Sequence, residues 1–168
     1  MSNLKFLLHL LALLLLQLGI FDHFQFHSYI YVNIYILIIY ILPFRFNSLS
    51  ILFFGFLLGL FIDLMNHTMG IHAVATTFLA YLRPRLLMLL SNNEQLDDIQ
   101  GRQRISHFAW FFKYILISTF IFNVIMILCE VFNFQNFFIT LLRILCSTIV
   151  SIFFILLYYF LALKKKKN

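Results

Sequence analysis

Six long apolar runs, parted by short polar breaks, govern what this chain can fold into. With their flanks they lie at about 4–20, 28–44, 49–65, 69–90, 108–132 and 137–163. A bilayer core about 30 Å thick takes roughly 20 apolar residues in helical form. The runs are continuous, without the short alternating segments of an outer-membrane barrel. Helices also satisfy their own backbone in lipid, which isolated strands do not. The expected fold is an all-α integral membrane protein, a single domain over 1–168 with about six transmembrane helices in one bundle. The second run is the weakest: it is short, rich in Tyr and Ile, and ended by Pro43. The fourth is interrupted by Arg83-Pro84-Arg85, where proline removes a backbone donor and disfavours helix in the residue before it.

Composition points the same way. The chain is 63% hydrophobic and 11% charged, with a mean hydropathy of +0.98. A soluble domain is about 45–50% apolar and about 25% charged. A free soluble enzyme, a disordered tail and a nucleic-acid-binding module are all excluded on this ground. Lys5 followed by Phe6–Leu18 resembles a signal peptide, but no small-x-small cleavage site follows, so a retained first span is expected. Cys129 and Cys146 both lie in apolar runs, with no CxxC and no Cys/His cluster. Two buried free thiols are expected, not a disulfide framework.

The net charge is +6. Six spans would gather Lys5, Arg45, Arg83, Arg85, Arg102, Arg104, Lys113 and Lys164–Lys167 on one side, eleven of the twelve basic residues. The loops of the other side carry Asp22, Asp63 and Glu130 and no Lys or Arg. The positive-inside rule then puts both termini in the cytoplasm. The twelfth basic residue, Arg143, falls inside the sixth span. Pairing with Glu130, pairing with Asp63 and reaching the outer headgroups are all open to it. The loop 91–107 is too short for a catalytic domain, and the basic tail 164–168 suits an anionic membrane surface.

The densest polar cluster spans the third and fourth runs: Gly55, Gly59, Asp63, Asn66, His67, Gly70 and His72. Gly55 and Gly59 form a GxxxG, whose missing side chains let another helix approach closely. Asp63 continues that stripe at the next i+4 position, so its carboxyl faces protein. It is open to three roles: capping the fourth helix across a tight turn, relaying an ion, or contacting a partner. Asp63, His67 and His72 make a poor metal site, because Gly70 breaks the helix and no fourth ligand is evident. Asn66-His67-Thr68 is a glycosylation sequon, relevant only in a secretory pathway. Arg83, Pro84 and Arg85 read either as a kinked cytoplasmic helix end with snorkelling arginines or as a docking point. HExxH, Walker and GxSxG motifs are absent, and no enzyme activity, cofactor or metal is expected.

The stretch GFLLGLFIDLMNHTMGIHAVATTFLAYLRPRLL resembles the centre of the MreD family, the small membrane subunit of the bacterial rod-shape system. Gly55, Gly59, Leu60, Asp63, Met69, Gly70 and Ala73 stand where that family has Gly-x-x-x-Gly-Leu-x-x-Asp, a turn, and Leu/Met-Gly-x-x-Ala. Leu82-Arg83-Pro84 resembles the ending in Bacteroidetes-like members. About 30 residues carry the match, and span count and length agree over the rest. The resemblance implies a non-enzymatic scaffold or regulator in the plasma membrane. Its implied partner is MreC and, through it, the MreB filament, the RodA glycosyltransferase and a class B penicillin-binding protein. It also implies Gly55, Gly59, Asp63, Gly70 and Ala73 as the packing or partner interface. The family's likeness to the substrate-binding subunits of energy-coupling vitamin transporters supplies the alternative, with Asp63, Asn66 and His72 lining a cavity.

Overall fold

A computed structural model of the chain describes residues 3–21, 30–42, 47–90, 108–131 and 137–163. Asp22, Pro43, Arg45, the loop 91–107 and the tail 164–168, all singled out above, lie outside the described residues. The described residues are helical apart from turns and one extended stretch, with no strand among them.

Helix α1 (Asn3–Leu16) widens into a π-helical turn, Gln17–Phe21. The short helix α2 covers Leu37–Ile41. Helices α3 (Ser48–Asn66), α4 (Ile71–Leu90), α5 (Phe108–Glu130) and α6 (Phe137–Tyr158) follow, and α6 ends in a second π-helical turn, Tyr159–Leu163. Four helices are long and apolar enough to cross a membrane: Ser48–Asn66, Ile71–Leu90, Phe108–Glu130 and Phe137–Ala162. The apolar helix Phe6–Phe21 is shorter. Helices α3 and α4, α4 and α5, and α5 and α6 pack as successive neighbours.

The outer surface is apolar, unlike that of a soluble protein, and polar side chains are set within an otherwise hydrophobic core. On α6 the exposed stripe is Phe138, Leu142, Leu145, Ile149 and Phe153, and the buried stripe includes Ser147, Thr148 and Ser151. Gln17, Asn33, Asp63, His72, Arg83, Ser118 and Asn123 are buried as well, while Leu7, Leu11, Leu15, Phe53, Leu64 and Leu89 face outward. An apolar exterior with the polar side chains turned inward is the arrangement that lipid selects, since tails solvate Leu and Phe and cannot solvate amides.

The second run does not form the expected transmembrane helix. Residues 30–34 are non-helical, 35–36 turn, and only Leu37–Ile41 is helical. Its local preference explains part of this, because Tyr, Ile, Val and Asn are poor helix formers compared with the Leu of the other runs. Tertiary contacts supply the rest. Residues 32–40 are all buried, and side chains from two helices take the place of the missing backbone bonds. The Gln17 amide donates to the Val32 carbonyl at 2.9 Å and accepts the Ile34 N–H at 3.0 Å, as a neighbouring strand would. From α6, Ser147 Oγ accepts the Tyr31 N–H and Ser151 Oγ accepts the Asn33 N–H, both at 3.1 Å. Ser151 also donates to the Tyr31 carbonyl at 3.3 Å. The spacing is commensurate: two extended residues advance about 6.6 Å and four helical residues about 6.0 Å. Non-helical backbone at membrane depth survives only when protein satisfies it in this way.

Gln17→Leu keeps the side-chain bulk and strips the Val32 carbonyl and Ile34 N–H of this partner. At about 1–3 kcal/mol for each orphaned buried group, the loss should be roughly 2–6 kcal/mol. Thermal unfolding of the detergent-solubilised chain checks this, and an unchanged midpoint would show that Gln17 does not hold the segment.

Candidate functional site

The glycine stripe of α3 lies directly against α4. A Cβ at Gly55 would sit 2.9 Å from Ala80 Cβ and 3.1 Å from the Thr76 carbonyl oxygen. A Cβ at Gly59 would lie 2.5 Å from both Ala73 Cα and the His72 carbonyl oxygen, and closer still to Thr76 Oγ1. The helix backbones therefore touch at Gly59, and Ala73 and Thr76 complete the contact from the α4 side. Thr76 spends its hydroxyl on its own helix, donating to the His72 carbonyl at 2.7 Å.

Asp63 closes the hairpin that begins with this contact. It is 3% exposed. One carboxyl oxygen accepts the His72 N–H at 3.0 Å and the Thr68 hydroxyl at 2.5 Å; the other accepts the Ala73 N–H at 2.7 Å. His72 and Ala73 belong to the first turn of α4, whose N–H groups have no partner within the helix. Asp63 thus caps α4 from the last turn of α3, where the helix dipole favours negative charge. The turn between them needs two left-handed residues, His67 at φ 55° and Gly70 at φ 84°. Thr68 N–H returns to the Asp63 carbonyl at 3.0 Å, so Asp63 holds both helix ends. Around Gly70 there is open space, so its role is conformational.

His72 reaches the middle of the bundle. Its Nδ1 shares a hydrogen bond of 2.9 Å with the Tyr35 hydroxyl, and Tyr35 also packs edge-on against Phe122 of α5. A second buried chain runs from the Asn33 amide to Asn123 Oδ1 at 3.3 Å, then from the Asn123 amide to Thr148 at 3.1 Å. A third group gathers Glu130 and Arg143, whose Nη2 lies 3.2 Å from both carboxylate oxygens, with the Tyr31 hydroxyl donating to Glu130 at 2.7 Å. Of the alternatives left open for Arg143, the structure contains the pair with Glu130. Among the described residues no three His, Cys, Asp or Glu gather where they could hold a metal ion.

The Arg83–Arg85 segment differs from its expected form. Helix α4 runs on through Pro84 to Leu90, so it neither breaks nor ends at the proline. Pro84 forgoes the bond to the carbonyl of Ala80, four residues back, where the proline ring would crowd it. Arg83 does not snorkel: it is 2% exposed and donates through Nη2 to the Leu42 carbonyl, tying the end of α2 to α4. Arg85 is exposed, with its guanidinium 4.7 Å over the Tyr81 ring.

Gln17, Asn33, Asn123, Ser147, Thr148 and Ser151 were not marked by the sequence motifs, although each is a polar residue inside an apolar run. Ser147 and Ser151 also share the i, i+4 spacing of one helix face. Cys129 and Cys146 are free and half-buried. No protein-family model matches this chain, and no curated protein or solved structure matches it either.

Gly59→Ala should destabilise the protein by about 1–3 kcal/mol through overpacking, and Gly55→Ala by less. Gly19→Ala is the control, since a Cβ there meets nothing within 4 Å. Equal unfolding midpoints for all three variants would contradict the close α3–α4 contact. Asp63→Ala should cost about 2 kcal/mol or more and Asp63→Asn less, since the amide keeps one acceptor oxygen; the reverse order would contradict the cap.

Proposed function

We propose that this protein is a non-enzymatic membrane scaffold of the bacterial rod, or elongation, complex, acting in the plasma membrane as MreD-like proteins do. In this reading it couples MreC, and through it MreB filaments, RodA and a class B penicillin-binding protein, to lateral peptidoglycan synthesis. The observation that carries the reading is the use made of the Gly55–Gly59–Asp63 stripe. Every functional atom of the stripe is spent on holding α3 to α4: two bare backbones in contact and a carboxyl whose oxygens accept three hydrogen bonds. A relay or ligand site would leave acceptor capacity facing a cavity, whereas a scaffold needs a rigid hairpin.

Chain direction supports the expected orientation. Gly55 meets Ala80 and Asp63 meets Ala73, so α3 and α4 are antiparallel. Glu130 meets Arg143 and Asn123 meets Thr148, so α5 and α6 are antiparallel too. Tyr31 and Asn33 meet Ser147 and Ser151, so the extended segment runs parallel to α6. Strict alternation over six passes returns the chain to the side where it began, which fits two cytoplasmic termini. The apolar outer faces of the helices offer lipid, or the span of a membrane partner, a surface of ordinary transmembrane character.

For the vitamin-transporter alternative, two of its three lining residues are already engaged: Asp63 with the α4 cap and His72 with Tyr35. Depleting the protein in its native host tests the proposal. Cells should round up with delocalised wall insertion, and the intact gene should restore them. MreC should co-purify with the chain in mild detergent, and Gly59→Ala should weaken that capture. Unchanged cell shape together with absence of MreC would remove the rod-complex reading.

A further inference from the structure

We propose that the turn joining α3 to α4 binds one soft monovalent metal ion, copper(I), through Met65, His67 and Met69. The sequence across the turn is Met65-Asn66-His67-Thr68-Met69-Gly70. Exposure alternates along it: Met65, His67 and Met69 are exposed, while Asn66, Thr68 and Gly70 are partly buried. The two sets do different work. Thr68 and Gly70 build the turn, the first through its hydroxyl on the Asp63 carboxyl and the second through its left-handed backbone. The side chains of Met65, His67 and Met69 take no part in those bonds and are turned outward, with Met65 50% and Met69 100% exposed. Met69 is the most exposed large apolar side chain among the described residues.

The donor atoms say what kind of ion would fit. Thioethers are soft, polarisable and uncharged, and they suit copper(I). Imidazole suits copper as well. Zinc is held by Cys, His and carboxylate, and calcium and magnesium by oxygen, so thioethers favour none of these ions. The nearest carboxylate is already spent: Asp63 accepts the His72 and Ala73 N–H groups and the Thr68 hydroxyl. His72 is engaged with Tyr35. The set is therefore not the Asp63, His67 and His72 group weighed from the sequence; it shares only His67 with it. The backbone that carries the three donors is fixed in advance. The His67 and Thr68 N–H groups both return to the Asp63 carbonyl, and His67 stands at φ 55°. Closing around an ion then costs side-chain rotation alone, and a methionine side chain has three rotatable bonds with which to reach. The inference is independent of the rod-complex reading.

The full-length protein in neutral detergent and chloride-free buffer, its five methionines carbon-13 labelled at the methyl group, should be titrated with silver(I), a redox-inert stand-in for copper(I). The Met65 and Met69 methyl signals should move together and saturate at one ion per chain, with Met88 and Met126 unmoved. Competition with a chromogenic chelator reads the affinity for copper(I) itself. Met69→Leu and His67→Asn should each weaken it by at least about tenfold, since even changes beyond the ligands of a metal site cost that much. Neither variant should disturb the fold, because Met69 is fully exposed and asparagine accepts the left-handed backbone of residue 67. Matching unfolding midpoints check this. Unmoved Met65 and Met69 signals, uptake that persists in both variants and so belongs to Cys129 or Cys146, or an equal response to zinc would each overturn the site.

Discussion

Peptide groups placed at membrane depth without a helix to satisfy them are the constraint on which this architecture depends. Each unsatisfied N–H or C=O in such surroundings costs several kcal/mol, on the order of the whole stability of a domain when four are exposed together. Residues 31–34 present such groups, and the chain answers with Gln17 on one flank and Ser147 and Ser151 on the other. The solution fixes more than the segment itself. It joins the first helix to the last across some 130 residues of sequence, because both must be in place before the extended stretch can be buried.

The remaining polar interior is organised around the same segment. Asn33 extends it to α5 and α6 through Asn123 and Thr148, and Tyr35 extends it to α4 through His72. Tyr40 reaches α5 at Thr119, and the Leu42 carbonyl receives Arg83 from α4. Side chains at 31, 33, 35 and 40 thus each touch a different part of the surrounding helices. In lipid the hydrophobic effect does not hold helices together, so close backbone contact and such bonds must. The Gly59 contact supplies the first kind and this network the second. An interior bound in this way resists rearrangement.

What the sequence disclosed, and what it hid, follows from the range of the forces. Long apolar runs and the i, i+4 spacing of Gly55, Gly59 and Asp63 are local, and they were readable as helices and as one helix face. The second run misled because its hydropathy matches a span, while its backbone conformation depends on Gln17 and Ser151, remote residues whose partnership no local pattern records. Pro84 misled in the opposite sense: proline penalises a helix interior, yet α4 runs on through it with Arg83 and Leu87 on either side buried. Arg143 carried a recognisable cost inside a span, but its choice of Glu130 depends on where α5 ends relative to α6 and is visible only in three dimensions.

The central claim is that residues 30–34 cross the bundle as extended backbone fastened by side chains. The most direct test is the carbon chemical shift of the Cα atoms of Tyr31, Val32, Asn33 and Ile34 in selectively labelled, detergent-solubilised protein. The account predicts values displaced to the extended side of random coil, with Leu37–Ile41 displaced to the helical side in the same spectrum. Helical values running without interruption from 30 to 41 would mean that the second run is an ordinary transmembrane helix, and the network built around its backbone would fall with it.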